Sequence, residues 1–229
     1  MKVVILAGGH GTRLAEFTKK IPKPMVKIKK IPIIEHIIKH YAKFGFKDFY
    51  IAAGYKKNII RNYFKKKKIK LNIEVIDTGQ KSMTGGRIKK LKKIIGNNKF
   101  LLTYGDGLSN VNLNKLIKFH NRSKNIVTLT AVRPPARFGG LKLKGKKVKY
   151  FKEKSSLDEG WINGGFFVME PKILNFIKNS KTVLEREPLE KLCKNNKLGA
   201  FRHTGSWQCM DTIRDKDKLE NMLKKKLFN

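Results

Sequence analysis

Two patterns of apolar positions alternate along the first half of the chain. Val3-Val4-Ile5-Leu6-Ala7 is an unbroken apolar run that meets Gly8-Gly9, which predicts a buried strand over Lys2 to Ala7. Ile33, Ile34, Ile37, Ile38, Tyr41 and Phe44 then recur at helical spacing, with Gly45 as a stop signal. A second apolar strand is expected over Asp48 to Ala53, a short helix over Ile59 to Phe64 and a third strand over Leu71 to Ile76. Thr84 is placed to cap a basic helix reaching about Ile95, and Phe100 to Tyr104 reads as a fourth strand ending in Gly105-Asp106-Gly107.

Strands alternating with helices over about 120 residues indicate an α/β fold with a mostly parallel sheet. Ligands bind such sheets at the carboxyl ends of their strands, so the loops after residues 7 and 104 fall on the functional edge. The later half changes character. Val127 to Val132, Leu141 to Leu143, Val148 to Phe151 and Phe166 to Met169 are strand-like, with helices near Pro171 to Ile177, Pro188 to Asn195 and Asp215 to Lys225. It reads as a substrate-binding extension on the same sheet. No repeat or Pro/Ser/Gly-rich linker divides the 229 residues, 40% of them hydrophobic, so one domain is expected over 1–229.

Composition narrows the class. The first apolar run is far short of the ~20 residues of a membrane span, and no cleavage site follows it. Two cysteines, Cys193 and Cys209, give no disulfide framework. These features predict a cytoplasmic protein with no membrane partner. The formal charge of +36 raises the alternative of an RNA- or membrane-surface-binding protein. Only nine of the 53 basic residues are arginine, however, and the lysines are spread without interleaved aromatics. The reading is a solvated lysine surface that attracts anionic substrates, with no nucleic-acid partner.

The chemistry begins directly after the first strand. In Leu6-Ala7-Gly8-Gly9-His10-Gly11-Thr12-Arg13-Leu14, three glycines let the backbone bend tightly and bring its N–H groups against a polyphosphate. Thr12 adds a hydroxyl and Arg13 a planar cation suited to phosphate oxygens. In Pro22-Lys23-Pro24-Met25, the two prolines hold Lys23 in an extended segment. Leu14 stands where a dinucleotide fingerprint has its third glycine, and no Gly-Lys-Ser/Thr marks a Walker loop. Asp106, between two glycines past a buried strand, reads equally well as a magnesium carboxylate or as a turn residue. Two glycines in Thr84-Gly85-Gly86-Arg87 are expected to let a flat base lie against a helix start.

With these motifs the chain resembles the sugar-1-phosphate nucleotidyltransferases. The resemblance extends through Asp77-Thr78-Gly79, Ser82 to Arg87, Thr103 to Gly107, Pro134 to Gly139, Glu153-Lys154, Ile162 to Phe167 and Trp207 to Thr212, in the family's order. It implies a Rossmann-like mixed sheet flanked by helices, with about 1–120 as the nucleotide-binding half and about 121–229 as the sugar-binding half. The substrates implied are a nucleoside triphosphate and a sugar-1-phosphate, with pyrophosphate released. Arg13, Lys23, Asp106 and Asp211 become the catalytic set, the two aspartates holding Mg²⁺. Nucleotide binding falls to Leu6 through Arg13, Lys23, Gly105 and the base-recognition candidates Ser82, Thr84 and Arg87. Sugar-phosphate binding falls to Gly139, Glu153, Lys154, Asn163 and Gly164. The Ser82 to Arg87 loop matches the cytidylyl branch more closely than the thymidylyl or uridylyl branches, which implies CTP, with glucose-1-phosphate as acceptor. One departure stands out. Only Lys65 to Ile76 separates Phe64 from Asp77, where the cytidylyl branch carries a longer segment that lies near the nucleotide loop and contributes to subunit contacts; its absence leaves the catalytic parts intact and leaves base choice and the homo-oligomer the resemblance implies open.

Other constellations are weaker. His36 and His40 stand four apart on a predicted helix without a further ligand nearby. Glu185 and Glu187, two apart, face different ways and make a poor glycosidase pair. A silent binding module on the same fold is marked by loss of Arg13, Lys23 or either aspartate, and all four are present.

Overall fold

A computed structural model of the chain describes residues 1–67, 69–134, 140–152 and 160–228. Among these residues, seven strands form one sheet: β1 (Val3–Ala7), β2 (Asp48–Ala53), β3 (Asn72–Asp77), β4 (Phe100–Tyr104), β5 (Val127–Val132), β6 (Ile162–Met169) and β7 (Leu198–His203). Their order across the sheet is β7-β5-β6-β4-β1-β2-β3. β1 pairs in parallel with β2 and β4, and β2 with β3, while β6 runs antiparallel to both β4 and β5. The mixed, mostly parallel sheet expected from sequence is therefore present, and the later strands extend it.

Every residue of β1 is buried, because helices cover both faces. Val3, Ile5, Phe49, Ile51 and Leu101 pack on one side with residues of helices Ile33–Lys43, Leu113–Arg122 and Ile213–Lys224. Val4, Leu6, Phe100 and Leu102 pack on the other with Ile88 of helix Thr84–Lys90 and Leu189 and Leu192 of helix Glu187–Lys194.

Several boundaries differ from expectation. Helix Leu113–Arg122 and strand β7 were not expected. Gly140–Lys144 and Lys147–Lys152 form a separate hairpin outside the main sheet, and Pro171–Phe176 is a 3₁₀ turn. The basic helix is interrupted at Leu91, and its cap position is Met83, not Thr84. The Thr84 hydroxyl is engaged elsewhere: it accepts from the Leu184 N–H and donates to Glu185.

Candidate active site

The parallel topology sends the loops after β1 and β4 to the same sheet edge, where they border a cleft of about 490 Å³. That volume suits a small-molecule ligand. The end of β1 contributes Leu6 and Ala7 to its wall, and the loop after it Gly8, Gly9, Gly11 and Arg13. Gly11 has φ +66°, and a Cβ there would stand 2.9 Å from the Lys23 Cβ, so glycine is needed for both conformation and space. His10 and Thr12 of the same loop do not line the cleft: His10 packs tilted against Tyr55, with ring centroids 4.6 Å apart, and Thr12 borders a smaller hollow beside Arg214.

Four charged side chains converge at one end of the cleft. Lys23, buried in the short turn Lys23–Met25, places Nζ 2.6 Å from Asp106 Oδ2 and 2.7 Å from Asp211 Oδ1. Arg13 Nη1 lies 2.7 Å from Asp211 Oδ2. Burial alone lowers the Lys23 pKa, but the charges and hydrogen bonds of Asp106 and Asp211 outweigh it and raise the ammonium above its ordinary value. Lys23 therefore stays protonated at neutral pH. The Arg13 side chain is 72% exposed, so its ion pair is weakly held and can exchange for an arriving anion.

The two aspartates are brought together by backbone pairing. Met210 N–H donates to the Asp106 carbonyl at 2.8 Å, continuing the short pairing of Gly107–Ser109 with Trp207–Cys209. Downstream, Thr212 and Asp215 form a reciprocal capping box, and Asp215 Oδ2 also accepts from the Asp211 N–H at 3.2 Å. Asp211 thus sits at a fixed helix entry. The neighbouring Cys209 thiol is pushed up to about 12 by burial and by the Asp211 and Asp106 charges, which leaves it unreactive.

The cleft is also lined by Ser82, Met83 and Thr84 at the start of helix Thr84–Lys90, and by Tyr104, Asn163 and Trp207 from strands. One expectation about this region is corrected. Gly85 and Gly86 do not face the cleft: Cβ atoms there would stand 2.9 Å from the Thr182 carbonyl oxygen and 2.2 Å from that of Ser180. These glycines admit the close passage of a neighbouring chain segment, not a flat base. Arg87 borders the cleft, but it is only 4% exposed and its guanidinium is turned onto protein acceptors. It donates to Thr78 Oγ1 at 2.7 Å, the Gly79 carbonyl at 2.9 Å and the Gly8 carbonyl at 2.8 Å. These bonds make Arg87 a clamp between the two loops at the edge of the cleft.

Gly105 and Asn163 line the cleft, and the Gly164 carbonyl accepts from Trp207 Nε1–H, itself a lining residue, at 2.7 Å. Gly139, Glu153 and Lys154 lie outside the described residues. Tyr104 and Trp207, which also line the cleft, were missed because aromatic residues in strands read as core, and Met83 because an apolar helix cap carries no chemical signal. His36 Nε2–H donates to the Ile28 carbonyl at 2.9 Å, while His40 packs among Tyr41, Phe44 and Phe166. Glu187 pairs with Lys178 and Lys191, apart from Glu185. Among the described residues, no group of three or more metal-ligating side chains gathers.

Comparison with known proteins settles the class. The nucleotidyl transferase family model matches residues 2–212. The chain belongs to the nucleotidyl transferase family. This nucleotidyltransferase is 43% identical, over 98% of its length and 96% of the relative's, to a glucose-1-phosphate cytidylyltransferase of Salmonella typhimurium. It is 40% identical over 94% of its length, and 93% of the relative's, to a probable glucose-1-phosphate cytidylyltransferase of Bacillus subtilis. The Salmonella alignment spans 248 positions, more than the 229 residues of the chain, so the relative carries residues this one lacks. Its fold matches HddC from Yersinia pseudotuberculosis complexed with GMP-PN, at TM-score 0.75 and 26% identity, covering 97% of this chain and 99% of that one. No described helix of the nucleotidyltransferase is long and apolar enough to cross a membrane.

Proposed function

We propose that the chain is a glucose-1-phosphate cytidylyltransferase, transferring the cytidylyl group of CTP to α-D-glucose-1-phosphate and releasing pyrophosphate. The observation that carries the reaction is the convergence of Arg13, Lys23, Asp106 and Asp211 at one end of a cleft behind a glycine loop. The choice of base and sugar rests on the 43% identity to a relative of that name and on the Ser82 to Arg87 loop.

The sugar phosphate oxygen is already ionised at neutral pH, so its in-line attack on the α-phosphorus requires no general base. Catalysis then consists of positioning and charge stabilisation. Lys23, protonated and buried, neutralises the reacting α-phosphate. Arg13 exchanges Asp211 for the departing pyrophosphate. Asp106 and Asp211 suit Mg²⁺: both already turn a carboxylate oxygen onto one cation, the Lys23 ammonium, and magnesium usually takes one or two protein carboxylates. When bound, the ion supplies positive charge to phosphate oxygens. Lys154 is assigned to the acceptor phosphate, and Gly139, Glu153, Asn163 and Gly164 to the sugar. Residues 1–229 act as one catalytic domain, in the cytoplasm and as a homo-oligomer, with the lysine surface drawing in anionic substrates and no nucleic acid bound.

Cytosine and uracil differ at one edge, a 4-amino donor against a 4-oxo acceptor. A site built for one leaves buried polar groups unpaired with the other, at ~1–3 kcal/mol per group. Pyrophosphate release over a matrix of nucleoside triphosphates and sugar phosphates should therefore favour CTP over UTP by at least about tenfold in kcat/KM. Equal or better use of UTP, dTTP or GTP refutes the cytidylyl assignment.

A further inference from the structure

Glu185 is held by hydroxyls and not by a cation. The sequence carries 53 lysines and arginines against 17 aspartates and glutamates, yet no described lysine or arginine pairs with Glu185. Its oxygens accept from two hydroxyls instead: Oε2 from Thr84 at 2.6 Å, and Oε1 from Tyr104 at 2.7 Å. The network extends in both directions. Thr84 Oγ1 accepts from the Leu184 N–H at 2.9 Å, and Tyr104 Oη accepts from Asn163 Nδ2 at 3.1 Å. The Gly165 N–H donates to Asn163 Oδ1 at 2.9 Å, which fixes the orientation of that amide. Each hydroxyl oxygen thus receives an N–H and directs its own hydrogen at Glu185.

Thr84 opens helix Thr84–Lys90, whereas Tyr104 and Asn163 belong to strands β4 and β6. All three line the cleft, so its helix side and its strand side meet at Glu185, which is not itself a lining residue. The segment that carries Glu185 is itself docked on the nucleotide-side helix. Met83 N–H donates to the Ser180 carbonyl at 2.9 Å and Gly86 N–H to the Thr182 carbonyl at 3.2 Å. Charge-assisted hydrogen bonds to one carboxylate are about twice as strong as neutral ones, so the two walls are held in one geometry. We propose that Glu185 is a positioning residue that locks the nucleotide-side wall, through Thr84, to the sugar-side wall, through Tyr104 and Asn163. This rests on the reading above, with the base toward Thr84 and the sugar toward Asn163.

The test is steady-state kinetics with CTP and glucose-1-phosphate on Glu185→Gln, Thr84→Val, Tyr104→Phe, Asn163→Ala and their combinations. An amide at 185 cannot accept both hydroxyl hydrogens on two oxygens, so Glu185→Gln should raise both KM values about tenfold. Thr84→Val should raise chiefly the KM for CTP and Tyr104→Phe chiefly that for the sugar phosphate. In the Thr84→Val/Tyr104→Phe background, Glu185→Gln should add less than about twofold, the signature of coupling that general destabilisation does not give. The proposal falls if Glu185→Gln leaves both KM values within about twofold, or if its effect is undiminished in that background. If Glu185→Gln does not fold, the two hydroxyl variants decide, and unchanged KM values in both overturn the proposal. Asn163→Ala separates the failures. An unchanged sugar-phosphate KM there overturns the placement of the sugar, whereas a raised one beside an inert Glu185→Gln overturns the coupling alone.

Discussion

Replacing Arg87 by methionine keeps the stem and removes the guanidinium, which tests whether this residue clamps loops or contacts substrate. Three of its hydrogen bonds are 2.9 Å or shorter, to Thr78, Gly79 and Gly8. Two longer ones reach the Ala53 carbonyl at 3.3 Å and the Gln80 carbonyl at 3.4 Å. The acceptors are not all orphaned by the change. Gly8 O still accepts from the Tyr55 N–H at 3.2 Å, and Ala53 O from Thr78 N–H and Oγ1. Each short bond is therefore weighted at the low end of its range, about 1 kcal/mol, or about 3 kcal/mol for the three. For a chain of this size that lowers Tm by roughly 6–12 °C. Because Gly8 begins the phosphate loop, the KM for CTP should rise with it, and Arg87→Lys should lie between the two. Calorimetric unfolding and kinetics well below Tm measure both effects. A Tm within about 2 °C of the parent, together with a raised KM, shows a substrate contact and refutes the clamp.

Asp106→Asn and Asp211→Asn should each lower turnover by roughly 10²-fold or more, measured as pyrophosphate release in saturating magnesium, since metal charge stabilisation is worth several kcal/mol. Stability should fall on mild acidification. The folded pKa of His40 is lowered from 6.5 to about 4, chiefly by burial, and those of His36, His120 and His203 are lowered in the same direction. Unfolded histidine then binds the proton more readily, so stability is full above about pH 6.5 and is lost as pH falls towards 4; His40 alone accounts for about 2 kcal/mol by pH 5, and a Tm flat between pH 8 and 5 contradicts this. Neutralising Lys224, Lys225 and Lys226 should leave saturated turnover unchanged while weakening the salt dependence of substrate capture; a large loss of turnover places the active site or a subunit contact at that end of the chain.

What was legible in the sequence follows from how local each signal is. Strands β1, β2 and β4 are apolar runs bounded by glycine or charge, and their burial on both faces makes the run unambiguous. Strand β7, Leu-Gly-Ala-Phe-Arg-His, sits at the sheet edge with alternating exposure, and its glycine and charges carry no strand pattern. Helix Leu113–Arg122 has only Leu113, Leu116 and His120 buried, too thin a stripe to stand out amid lysine and asparagine. The charged end of the cleft was legible because Arg13, Lys23, Asp106 and Asp211 each lie in a contiguous motif. Arg87 lies in such a motif too, but the sequence does not show the carbonyls of Gly8 and Gly79 that absorb its donors.

Glu185 shows the limit of that logic most clearly. Considered with Glu187, its neighbour two residues on, it had no chemistry, because side chains at that spacing diverge. Its actual partners, Thr84 and Tyr104, lie 101 and 81 positions away along the chain. Only the passage of residues 180–184 over Gly85 and Gly86 brings it to them, since Cβ atoms at those positions would collide with the Thr182 and Ser180 carbonyls. The two glycines therefore serve the site indirectly. By admitting that segment they let a carboxylate reach behind the cleft, where it holds the hydroxyls of both walls.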